Sequence, residues 1–413
     1  MERKLFSRNF TLVVIGQIIS LFGNAVVRFA LPLYLLNQTG SSALFGTVTA
    51  CAFIPSILLS PVGGIVADRV NKRNVMVILD FFTAVLILLC SLLLGRVSLV
   101  LLITVTLMLL YGIAGAYQPS VQASVPVLVS TDHFMEANSV INTISSFAGL
   151  VGPVFGGVLY SCYGLKPVLW VCVVCFFVSA VMELFIQIPY VRPDSGGGIL
   201  TDAKNDMMES LRFIRREKPV LGKGLVIICG VNLFLSAMIL VGLPYLVTEV
   251  LPFAAGRANQ LYGFAQGALA AGGLAGGIGA GVFAKRLRIE KAGNLIVAAA
   301  LFVFPMGISL VFFSSGMVNY LVMTVCCFLI MVCSTMFTVQ IMAFVQAETP
   351  QNLLGKVIAV LLAIAMCAQP IGNAMYGVLF EICAGAESAV VLFAGIVSLG
   401  IAVGARGVFG KVS

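Results

Sequence analysis

The sequence predicts an all-α membrane protein with twelve transmembrane helices in two pseudo-symmetric six-helix bundles. Three observations carry that prediction. The chain is 60% hydrophobic and only 10% charged over 413 residues, with a mean hydropathy of +1.10, so lipid must cover apolar surface that one soluble core could not. Its cations fall almost wholly into alternate loops. Several landmarks repeat at a constant offset of 217 residues.

Apolar runs of about 20 residues match the ~30 Å hydrocarbon layer at 1.5 Å per helical residue. The first is expected at 10–36; the basic start MERKLFSRNF runs straight into it without an A-x-A cleavage site, which reads as a retained helix. The second, 43–67, ends in the segment GGIVADRVNKRNV, which leads into the third at 75–95. The fourth, at 98–118, follows a short turn containing Arg96, and 138–161 and 167–188 complete the first bundle, residues 1–190. A polar segment, 191–223, separates it from spans at 224–248, 261–284, 292–313, 318–345, 354–380 and 387–407, the second bundle of 224–413. Within the polar segment, DMMESLRFIRRE places Met207, Met208, Leu211 and Ile214 on one helical face, as expected of a helix lying on the inner leaflet.

Charge orients this array, because Lys and Arg accumulate on the cytoplasmic side. Of 24 cations, 20 fall on the side holding both termini and the 191–223 connector, three on the other side, and Arg28 inside a span. Both termini are therefore expected in the cytoplasm, with the chain in a plasma (inner) membrane. The net charge of +8 serves topology and anionic headgroups, and nothing calls for nucleic acid. Eleven cysteines lie mostly within or beside spans and read as small hydrophobes, including the C-x-x-C of Cys172 and Cys175. With His133 as the single histidine, no metal site is expected, and no cofactor.

At the 217-residue offset SALFG at 42–46 meets NQLYG at 259–263, aligning Gly46 with Gly263. GIVADR meets GVFAKR, and Pro153 meets Pro370. The position equivalent to Asp68 is Lys285, so the two halves carry opposite charges there.

The motif Gly64-x-x-x-Asp68-Arg69-x-x-Lys72-Arg73, placed after the second span, resembles the signature between helices 2 and 3 of major facilitator transporters. That resemblance implies two bundles rocking about a substrate site near the midplane. It implies a gate in which Asp68 meets the positive N-terminus of helix 11, while Gly64 permits close packing and Arg69, Lys72 and Arg73 hold the loop inside. Gly149, Gly152, Pro153, Gly156 and Gly157 in span 5 are similar to the helix 5 motif of drug and proton antiporters, which points to export. Gly273, Gly277 and Gly281 of span 8 offer a facing row of small residues. GNAVVRFALPLYLLNQTGSSA and SVPVLVSTDHFMEANS resemble the branch that includes macrolide exporters. Asn24 stands where that branch often has an acid.

Polar residues inside spans are the candidate site. Gln17, Ser20, Asn24 and Arg28 form one stripe on the first helix, with Arg28 placed to attract an anionic part of a substrate or to act on a neighbouring acid. The resemblance places helices 1, 4, 7 and 10 around the cavity, which adds Tyr111, Asn232 and Gln340. Asp80 and Glu183 are the acids deepest inside spans and are candidates for proton coupling. The basic segment near Asp80 also predicts a structural ion pair for it.

The expected function is proton-coupled export of a hydrophobic or amphiphilic drug-like compound, such as a macrolide, by a monomer in the bilayer. A lipid or lysophospholipid translocator and a non-transporting receptor are the competing readings. ATP-driven transport is disfavoured by the absence of a G-x-x-x-x-G-K-[ST] segment, and an enzyme by the single histidine without a partner.

Overall fold

A computed structural model describes residues 7–130, 133–187, 207–283 and 289–410, with the backbone alone at 60–69, 126, 135, 351 and 352. Its long helices are α1 (Arg8–Thr39), α2 (Ser42–Arg69), α3 (Lys72–Leu93), α4 (Leu99–Leu128), α5 (Phe134–Tyr163) and α6 (Leu165–Leu184). They continue with α7 (Pro219–Val250), α8 (Ala255–Val282), α9 (Ile289–Phe312), α10 (Gly316–Glu348), α11 (Gln351–Ile382) and α12 (Glu387–Phe409). Among the described residues eleven helices are long and apolar enough to cross a membrane. The expected span not counted among them is α8, where nine of 28 residues are glycine and dilute the hydropathy. Its length still suffices, since ~20 residues cross the hydrocarbon.

Helix α1 starts at Ser7, whose side chain accepts from the Phe10 amide, and stops at Gly40, which adopts φ 62°. That left-handed conformation is inexpensive only for glycine. Helix α7 is less regular: it has wide turns at Val231–Ser236 and Leu246–Val250 and an internal Pro244.

Two compact units emerge. Unit 1 comprises Met1–Gly40, Val48–Asp194 and Ala254–Gly267; unit 2 comprises Ser41–Thr47, Ser195–Phe253 and Ala268–Ser413. In unit 1, α1 packs on α5 and α6, and α3 on α4 and α6. In unit 2, α7 packs on α11 and α12, and α9 on α10 and α12. These are the same pairings displaced by six helices.

The first turn of α2 belongs to unit 2, and the first half of α8 to unit 1. Glycine explains both. A Cβ on Gly46 would lie 2.3 Å from the Asn373 carbonyl oxygen and 2.8 Å from Gly377 Cα, so the α2 and α11 backbones touch there. A Cβ on Gly263 would lie 2.8 Å from the Pro153 carbonyl oxygen and 3.1 to 3.2 Å separates the Cβ positions of Gly157 and Gly263 from each other's Cα. Beside Gly46, the Glu381 carboxylate accepts from the Ser41 hydroxyl at 2.9 Å and the Ala43 amide at 3.2 Å, a negative charge set at the start of α2.

Residues 207–217 are helical and end in a wide turn at Phe213–Glu217. The face expected to be apolar is divided. Ile214 is buried with Phe213, whereas Met207, Met208 and Leu211 are exposed, because the wide turn shifts the side-chain register. Lys356 holds Glu209 at 3.1 Å, securing this segment within unit 2.

Candidate functional site

The polar stripe of α1 divides into two parts within unit 1. Gln17 and Ser20 are fully buried and engaged with neighbouring helices. The Gln17 amide donates to the Tyr117 hydroxyl at 2.7 Å, and that hydroxyl donates to Glu183 Oε1 at 2.7 Å. Ser20 donates to Asp80 Oδ1 at 3.0 Å. Ser179, one turn before Glu183, donates to the Gly16 carbonyl at 3.1 Å.

Local geometry delivers these groups to one place. Asn71 caps the start of α3, so Asp80 sits eight residues inside the helix, ~12 Å along its axis. Glu183 is in the last turn of α6, but helical side chains lean toward their own N-terminus, and the carboxyl reaches back to Tyr117. The two carboxyls lie close enough to interact, with Asp80 2% and Glu183 1% exposed. Asp80 Oδ2 and Glu183 Oε2 have no hydrogen-bond partner among the described residues.

The ion pair expected for Asp80 is absent among the described residues. Arg73 turns away and donates to the Leu184 carbonyl at the end of α6, where the helix dipole favours a cation. A recess of about 780 Å³, lined by Arg8, Asn9, Arg73, Leu128, Leu184 and Gln187 among others, opens at this end of α1, α3, α4 and α6. Leu128 and Ile186 line it and also belong to a buried cluster with Phe10, Val13, Met76 and Tyr117, the last of which bonds Glu183.

The other part of the stripe is less engaged. Asn24 donates only to the Ser20 carbonyl of its own helix, at 3.3 Å. The Arg28 guanidinium lies 4.1 Å from the centre of the Tyr111 ring and donates through Nη2 to the Leu110 carbonyl at 3.1 Å. Its Nε is buried without a partner. Tyr111 in turn meets Phe53, ring centres 5.1 Å apart.

In unit 2, Asn232 lies in the first wide turn of α7 and donates to the Ala365 carbonyl at 2.9 Å. Gln340 is buried on α10, and neither atom of its amide has a partner.

The side chains of Gly64, Asp68 and Arg69 lie outside the described residues, as does Lys285; Lys72 is half-buried. The small residues of α5 serve two neighbours. Gly152 and Gly156 face Ala25 and Phe29 of α1, Gly157 and the Pro153 carbonyl face Gly263 of α8, and Gly149 has open space. The α8 glycines that make the approach to α5 are Gly256, Gly263 and Gly267. Gly277 and Gly281 meet nothing within 4 Å, and Gly273 makes only ordinary contacts with Met331 and Thr335.

Sequence reasoning placed Asp80 and Glu183 inside spans but did not join them, and it missed Tyr117 and Ser179. The signal for Ser179 was its spacing of four from Glu183, which puts both on one face of α6.

The Major Facilitator Superfamily family matches residues 13–375. The chain is 22% identical over 361 residues to macrolide efflux protein A of Streptococcus pyogenes, covering 86% of this chain and 85% of that one. It is 28% identical over 195 residues to multidrug resistance protein MdtG of Citrobacter koseri, covering 46% and 47%. Among solved structures, the nucleoside transporter NupG superposes with a TM-score of 0.75 at 12% identity, covering 98% of this chain and 99% of that one. A bacterial homologue of the iron transporter ferroportin, in an inward-facing state, gives 0.71 at 17% identity, covering 96% and 98%. With its apolar helices and its match over nearly the whole length, this chain is a multi-pass membrane transporter, not an enzyme, and belongs to the Major Facilitator Superfamily.

Proposed function

We propose that this transporter is a secondary active exporter that exchanges protons for a hydrophobic or amphiphilic drug-like compound by alternating access. The bundles 1–190 and 224–413 are the moving parts, and 191–223 is their cytoplasmic connector. The observation that carries the proton half is that Asp80 and Glu183 are both buried around Tyr117, with no cation paired to either among the described residues. Two buried carboxyls drawn to one hydroxyl can share a single proton between them. Each has one unpartnered oxygen for it. The recess at the ends of α1, α3, α4 and α6 supplies an approach from the side rich in Lys and Arg, which the charge distribution assigns to the cytoplasm.

Export is supported by the names of the relatives, a macrolide efflux protein and a multidrug resistance protein. Asn24, Arg28 and Tyr111 in the first bundle, and Asn232 and Gln340 in the second, are the polar residues assigned to the compound, with Gln17 on the same stripe of α1 as Asn24 and Arg28. Gly64, Asp68, Arg69, Lys72 and Arg73 act as the inner latch. The protein works as a monomer in a plasma (inner) membrane.

The test is expression in a drug-sensitised bacterium across a chemically diverse panel, with and without a protonophore. Protection that the protonophore abolishes is the expected result. Protection unaffected by it, with unaltered protection by the Asp80→Asn and Glu183→Gln variants, would remove the proton from the cycle.

A further inference from the structure

Arg28 is a half-buried cation inside a membrane-spanning helix. It lies 20 residues from the start of α1 and 11 from its end, ~17 Å along the axis from the nearer terminus. No carboxylate of the described residues pairs with it. The acids of the proton site attach to α1 at Ser20, two turns away, ~12 Å along the axis. A guanidinium offers five N–H donors in a planar fork. Here Nη2 meets the Leu110 carbonyl, and Nε is buried with no acceptor among the described residues. The Tyr111 ring covers one face of the guanidinium, and Phe53 meets that ring at a tilt of 57°, centres 5.1 Å apart.

We propose that this is the charge-recognition element of the substrate site, and that the transported compound is an amphiphile bearing an oxyanion: a carboxylate, sulfonate or phosphate ester. The proposal rests on the transport reading above. The oxyanion accepts from Nε and the free edge of the Arg28 fork, the Asn24 amide one turn away offers a further donor, and the apolar body lies against the aromatic pair of Tyr111 and Phe53. Arg28 is pre-organised for this, since stacking on Tyr111 has already removed most of its freedom. The site discriminates by charge: a cationic compound of the same shape meets an uncompensated positive group.

The test uses the full chain in phosphatidylcholine nanodiscs and three fluorescent probes with one body: dansylaminoundecanoate, its methyl ester, and the corresponding amine. The wild type is expected to bind the acid at least ~10-fold more tightly than the ester, as for hydrogen bonds to a charged group, and the amine most weakly. Arg28→Gln brings acid and ester to equal affinity, while Arg28→Lys keeps part of the preference. Equal binding of acid and ester by the wild type overturns the proposal without needing any variant to fold. So does a preference that survives Arg28→Gln. Nanodiscs containing phosphatidylglycerol separate the sources of the anion: loss of probe binding identifies a lipid headgroup at Arg28, and unchanged binding identifies a free amphiphile. Wild type that ignores the probe's charge yet moves protons in liposomes sinks this proposal and leaves transport intact. Acid-selective binding with no transport of any probe does the reverse.

Discussion

Glu183→Gln changes one oxygen and one titratable proton, and the structure sets what each is worth. The amide oxygen still accepts from Tyr117, so the 2.7 Å bond survives. The new NH₂ takes the place of Oε2, which has no partner, and an orphaned buried donor costs ~1–3 kcal/mol. Removing a buried carboxylate offsets much of that. Tyr117→Phe is harsher: it strips the partner from both the Gln17 amide and Glu183, two orphans at ~1–3 kcal/mol each. Stability should thus fall more in Tyr117→Phe, whereas proton coupling should fall more in Glu183→Gln. Unfolding can be followed through the single tryptophan, Trp170, on α6 itself. Coupling is read in proteoliposomes as substrate-dependent proton flux with an internal pH dye. Wild-type flux in both Glu183→Gln and Asp80→Asn would refute the reasoning.

Gly46→Ala sets a Cβ 2.3 Å from the Asn373 carbonyl oxygen and should destabilise the protein by ~1–3 kcal/mol as α2 and α11 are forced apart. Gly149→Ala and Gly277→Ala, with nothing within 4 Å, should be neutral or slightly stabilising by thermal unfolding. Arg73→Gln removes the cation at the end of α6 and should lower stability by ~0.3–1 kcal/mol, an effect that high salt erases in the wild type. If the cargo is an anion, a membrane potential negative inside favours its exit by about 2.3 kcal/mol per charge per 100 mV. Export of dansylaminoundecanoate from liposomes should therefore accelerate when valinomycin sets that potential, and by more than export of its uncharged methyl ester, which moves only the charge of the exchanged proton. Equal acceleration of the two would mean that the cargo's charge does not cross.

Helix positions and the candidate acids were legible because lipid imposes a simple length and polarity code on each segment. Asp80 and Glu183 stood out as charges in apolar runs. Their companionship did not, because hydropathy carries no information on which helices are neighbours. Arg73 shows the same limit: a cation seven residues from Asp80 suggested a pair, yet the carbonyls ending α6 held a stronger claim. The α5 glycines read as one surface, but at 100° per residue Gly152 and Gly156 turn to α1 while Gly157 turns to α8. In α8 the low hydropathy has the same origin as its close packing, since glycine contributes neither oil nor bulk.

Gly46 and Gly263, equivalent across the 217-residue offset, each bring a helix backbone against a partner with no room for a methyl group. A duplicated ancestor would have transmitted one steric requirement to two descendants. Neither copy can drift to alanine while its twin compensates, because each closes its own seam. Redundancy of ancestry has left no redundancy of tolerance.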